Sequence, residues 1–123
     1  METSRLKSTL LTNVLEIRFL RKLPAEGKSA YRRMLCTNST ELLDSFNGRQ
    51  VLNYRVPTKY PKFDPASNNI VITWDILMQN FRCVSTYNCE VLKTFPPNDN
   101  FWEYFNKNIL IMNTAEKILY MNS

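Results

Sequence analysis

NNIVITWDILMQNFRCV, residues 68–84, is the stretch whose reading decides the fold. Its first half is a strand: Ile70, Val71, Ile72 and Thr73 are all β-branched and run into Trp74. Its second half admits two readings. Trp74, Leu77, Met78 and Phe81 fall at i, i+3, i+4 and i+7, which is one face of a helix. Asp75 near the start of that helix and Arg82 near its end would both suit the macrodipole. A strand continuing to Val84 is the other reading, and no alternation supports it. The spacing therefore predicts a strand followed by a short helix. Trp74 then packs inward at the junction, and Arg82 lies at the solvent-side rim.

Upstream, PTKYPKFDPASNN (57–69) holds Pro57, Pro61 and Pro65 and reads as a long internal loop. QVLNYRV (50–56) before it reads as a strand. NSTELLDSFNG (38–48) reads as one short helix, with Asn38 and Glu41 at capping-box spacing and Gly48 placed for a left-handed C-terminal cap. In NVLEIRFLRKL (13–23), Leu15, Ile17 and Phe19 alternate with Glu16 and Arg18, and Lys22 shares the polar face. That pattern is a strand with one wet face. SAYRRMLCT (29–37) is a second strand, and the short PAEGK turn (24–28) between them favours an antiparallel hairpin.

Downstream, NCEVLKTF (88–95) is a strand and PPNDNFWEYFNKNIL (96–110) is the clearest helix. Asn100 and Glu103 stand at capping-box spacing there, and Phe101, Tyr104, Phe105 and Ile109 make its apolar face. NTAEKILYMN (113–122) is a last helix, with Asn113 and Glu116 at the same spacing. The expected fold class is α+β: a mostly antiparallel sheet of about five strands with three or four short helices. Residues 1–12 read as an N-terminal arm whose order the sequence leaves open. Residues 13–123 read as a single domain, because neither half alone has core enough.

Composition narrows the chemistry. Histidine is absent, which removes Ser-His and Cys-His nucleophiles and every zinc site that needs an imidazole. No glycine-rich phosphate loop occurs. Cys36, Cys83 and Cys89 are odd in number and at no framework spacing, as expected of free thiols. Asp75, Asp99 and Glu103 have no nucleophile beside them, and capping accounts for the last two. No apolar run reaches the ~18 residues of a membrane span. Residues 1–20 carry Glu2, Arg5, Lys7, Glu16 and Arg18 rather than a secretory leader's apolar core. A reducing intracellular compartment is expected, nucleus or cytoplasm rather than mitochondrion, with no secretion, membrane, cofactor, metal or small-molecule substrate.

Charge is the most informative feature. Residues 1–62 carry twelve Lys/Arg against five acids, while residues 63–123 carry four against six. Arg18, Arg21, Lys22, Lys28, Arg32 and Arg33 lie within sixteen residues, on what reads as a hairpin. Such a ribbon suits a phosphate backbone or an acidic protein. The plainer account is a solvated face protecting a strand edge. Arg55 and Lys59 extend the set in YRVPTKYPKF (54–63), where basic and aromatic residues interleave as single-strand binders do. The plainer account there is a loop pinned over the core by its aromatics.

Trp102, with Phe101 and Tyr104, is the candidate protein interface, set against a core that wraps a small domain. The expected function is a non-enzymatic small subunit or adaptor of a larger assembly. Its basic N-terminal half would meet RNA, DNA or an acidic partner, and its aromatic C-terminal helix a protein. The alternative is a free-standing RNA- or DNA-binding protein.

Overall fold

The computed structural model describes residues 2–21 and 30–123. Five α-helices occur among them: α1 (Thr3–Thr12), α2 (Thr40–Leu43), α3 (Phe46–Gln50), α4 (Asp99–Tyr104) and α5 (Thr114–Met121). Five strands, β1 (Val14–Leu20), β2 (Tyr31–Thr37), β3 (Ile70–Asp75), β4 (Asn80–Ser85) and β5 (Glu90–Phe95), form one antiparallel sheet in the order β4-β3-β2-β1-β5. The fold is α+β.

Residues 68–84 are a β-hairpin, which corrects both the expected strand-then-helix and its continuous-strand alternative. β3 and β4 pair without a break from Ile70↔Ser85 to Asp75↔Asn80. Asp75 makes the turn: its Oδ1 accepts from Met78 N at 3.2 Å and its carbonyl from Gln79 N at 2.8 Å. Gln79 closes the turn in the left-handed region, φ 54°. Trp74 and Phe81 are cross-strand partners with ring centroids 5.0 Å apart. Their seven-residue separation imitates a helix face but comes from a four-residue turn between two strands.

β1 and β2 pair over seven residues, from Val14↔Thr37 to Leu20↔Tyr31. The PAEGK turn lies outside the described residues. β1 also pairs with β5, with a bulge between Glu16 and Ile17. β2 meets β3 only at Cys36↔Asp75 and Thr37↔Trp74.

Each face of the sheet is covered. On one, Leu15, Ile17, Met34, Cys36, Val71 and Val84 pack with Leu6 and Leu10 of α1, so that residues 3–12 are an ordered helix built into the core. On the other, Val14, Leu35 and Trp74 pack with Leu42, Leu52, Phe101, Phe105, Ile109 and Tyr120. The expected wet face of β1 is therefore roofed by the C-terminal half, and Glu16 is fully buried.

Three local readings change. QVLNYRV is not a strand: Gln50 ends α3, Leu52 is buried in the core, and Asn53 takes φ 57°, incompatible with extended backbone. NSTELLDSFNG holds two helices, capped by Ser39 and Ser45, while the Asn38 amide instead donates to Ile72 O at 2.8 Å. Gly48 lies within α3, where a Cβ would stand 2.1 Å from Leu42 O, so close approach rather than a left-handed cap demands glycine. α4 is capped by Asn98, not Asn100, and continues as a π-helical turn over Phe105–Ile109. The Asn113–Glu116 capping box of α5 is formed as read.

Leu10→Ala should cost about 2–5 kcal/mol in denaturant unfolding, because its side chain is fully buried between α1 and the sheet. A loss below about 0.5 kcal/mol would mean that α1 is dispensable to the core.

Candidate functional site

The basic residues divide into those that pair with acids of the fold and those that do not. Arg33 on β2 donates from Nε to Glu16 Oε1 at 2.7 Å, and its Nη2 donates to the same oxygen. The guanidinium also lies 4.5 Å from the Tyr120 ring centroid and donates to Ser123 Oγ at 3.2 Å. Burial alone would lower the Arg33 pKa, but the hydrogen bond and charge of Glu16 outweigh it and hold it above its ordinary value. Arg32 is ion-paired with the buried Asp75, and its Nη2 also reaches Met121 Sδ at 3.6 Å. Burial pushes the Asp75 carboxyl above its ordinary value, and Arg32 pulls it only part of the way back.

Arg21 donates to Asn122 Oδ1 at 3.0 Å, tying the end of β1 to the end of α5. Arg18 faces Glu90 across β1 and β5 at 3.4 Å, a partly exposed pair of small energetic weight. Lys22 and Lys28 lie outside the described residues. The ribbon expected from the sequence is thus, in its described part, a set of ion pairs and ties internal to the fold. Sequence inspection missed this because the partners stand 17 and 43 residues away.

Arg55 and Lys59 are placed differently. Both are exposed on the loop after α3, as is Lys62, and none of the three makes an ion pair among the described residues. Tyr60 beside them is 79% exposed. Tyr54 anchors the loop's start, edge-on to Trp74 at 5.3 Å and to Phe81 at 6.1 Å. Between this loop and the β3–β4 hairpin runs a groove of about 480 Å³, lined by Asn53, Arg55, Lys59, Trp74, Gln79 and Phe81 among others. No acidic residue lines it.

Trp102, Phe101 and Tyr104 belong largely to the core. Phe101 is fully buried and offers no surface to a partner. Trp102 is half-buried, its ring 5.7 Å from that of Phe105, and Tyr104 stacks on Phe95 at 4.6 Å. Exposed apolar side chains occur along the chain, Phe46, Val56 and Tyr87 among them, and four aliphatic ones fall within residues 110–119. Leu110, Ile111, Ile118 and Leu119 are 60%, 70%, 48% and 71% exposed. Ala115, Ile118 and Leu119 share one face of α5, opposite the inward Tyr120 and Lys117. The signal was present in TAEKILYM, which is more apolar than one buried face requires.

No three acidic or thiol side chains group as metal ligands among the described residues. The Cys36 thiol is pushed far above its ordinary value, chiefly by burial, and is an inert core group. No helix among the described residues is long and apolar enough to cross a membrane, and the three cysteines are free. The chain matches no family model, and no curated protein or solved structure is significantly similar to it.

The Tyr120 hydroxyl falls outside hydrogen-bond geometry with Glu16, so their coupling is electrostatic. Burial, then the Glu16 charge, raises the Tyr120 pKa well above its ordinary 10.0. The folded state holds this proton where the unfolded chain releases it. Its stabilisation is therefore complete below pH 10 and is lost as pH climbs beyond it. Tyr120→Phe should flatten the alkaline fall in unfolding free energy above that pH; an unchanged slope would show that the phenol ionises freely in the fold.

Proposed function

We propose that this chain is a non-enzymatic subunit or adaptor of a larger assembly, with its protein contact at the C-terminal end. The observation that carries this reading is the exposed apolar set Leu110, Ile111, Ile118 and Leu119. Scattered apolar residues are ordinary on a protein surface. Four large aliphatics within ten residues, two of them adjacent on one short helix, are the composition of an interface centre. The contact lies next to Trp102 and Tyr104 in sequence, but its apolar area comes from α5 and the turn before it. The second contact, with an anionic partner, falls to the exposed cations of the loop over residues 54–63, since Arg32 and Arg33 are engaged with buried carboxylates.

The Ile118→Glu, Leu119→Glu double variant tests the protein contact. Both side chains are exposed, so the unfolding midpoint should move little, by about 0.5 kcal/mol or less per substitution. The tagged wild-type chain, purified from its native host, should bring a stoichiometric protein partner that the double variant loses. An unaltered partner on the double variant would overturn the reading.

A further inference from the structure

We infer that the groove between the loop over residues 53–59 and the β3–β4 hairpin binds one nucleotide unit of a single-stranded nucleic acid. This deepens the proposed function, since it rests on that reading's anionic contact and names its class. Four observations converge on the groove. Its volume, about 480 Å³, is within the range that holds a small organic ligand. Its charged lining is wholly cationic: Arg55 and Lys59, neither in an ion pair among the described residues. Trp74 lines it while only 3% exposed, and its Nε1 donor has no acceptor. Asn53 and Gln79, also in the lining, both hold left-handed backbone, φ 57° and 54°.

These features match the parts of a nucleotide. Arg55 offers a planar fork and Lys59 a point charge, the two ways in which side chains meet a phosphodiester. The side-chain amides of Asn53 and Gln79 each carry both a donor and an acceptor, which suits the edge of a base, while the Asn80 Oδ1 accepts from Phe81 N at 2.9 Å. Phe81 supplies an aromatic surface within the groove, and Tyr60 follows Lys59 on the exposed loop. An acidic peptide would use the two cations but leave the aromatic and amide groups idle. A duplex would not place a base in a groove of this size.

The test is fluorescence anisotropy of a labelled twelve-nucleotide oligothymidylate with the full chain across a salt series, with AMP and polyglutamate as competitors. The oligonucleotide should bind, with polyglutamate at equal charge and AMP both competing poorly. Arg55→Glu with Lys59→Glu should weaken binding at least tenfold and make the log–log salt slope shallower by about 1.4, the contribution of two single-strand phosphates. Arg18→Gln, on the far side of the sheet order, should change binding little.

Binding unaffected by the loop charges would overturn the inference, as would polyglutamate competing as well as the oligonucleotide, or AMP binding alone. The Ile118/Leu119 variant keeps the two proposals apart. A partner retained there, with oligonucleotide binding that depends on the loop charges, overturns the assembly contact and leaves the groove standing; a partner lost there, with oligonucleotide binding indifferent to the loop charges, overturns the groove and leaves the assembly contact standing.

Discussion

A carboxylate buried in the middle of the sheet constrains the rest of this fold. Glu16 lies on β1, which pairs with β2 on one edge and with β5 on the other and is covered on both faces, and it has no exposed surface. An unpaired charge there would be prohibitive, so Arg33 must lie within reach. This pins the β1–β2 register, because a slip of one residue would turn Glu16 into the leucines of α1. The same guanidinium stacks on Tyr120 and reaches Ser123, so the pairing of two early strands also docks the last helix. Arg32 repeats the device beside it, joining β2 to the hairpin turn at Asp75 and to Met121. Two adjacent arginines thus connect the N-terminal strands, the central hairpin and the C-terminal helix.

That arrangement changes what the chain's excess of positive charge means. A cation on a strand is available to a partner only if the fold has no carboxylate for it, and here the two most buried acids each take one. The exposed cations outside any ion pair among the described residues include Arg55, Lys59 and Lys62 of the loop after α3, which has little regular structure and faces a groove free of acids. Paired and unpaired cations are separated in space: Arg32 and Arg33 on the sheet are engaged with buried carboxylates, while Arg55 and Lys59 on the loop are in no ion pair among the described residues. Ile118 and Leu119 of α5 are more exposed than the aromatic side chains of α4.

Much of the scaffold was legible locally. Alternation located β1, β-branched content located β3, and the Asn113–Glu116 spacing located α5, because each signal is confined to one element. The hairpin at 68–84 was misread because a cross-strand aromatic pair seven residues apart has the same spacing as two turns of helix. Only the left-handed Gln79 distinguishes the two, and glutamine carries no such signal. Arg55 and Lys59 were legible as candidates because exposed loop charges depend on nothing distant. The roles of Arg32 and Arg33 were not, since pairing with Asp75 and Glu16 is a property of topology. Phe101 was misplaced for a related reason: which aromatic of a rich helix turns inward depends on the sheet face that it meets.

Whether the strand arginines hold the fold together is decided by a double-mutant cycle on Glu16 and Arg33. Glu16→Gln, Arg33→Gln and the double variant would be compared by denaturant unfolding. Each single change should cost on the order of 3 kcal/mol, because it leaves the partner's charge or its buried hydrogen bonds unmatched. The double variant should cost little more than either, giving a coupling above about 1.5 kcal/mol. Additive losses, with coupling near zero, would contradict the account and return Arg33 to the set of cations free to meet a partner.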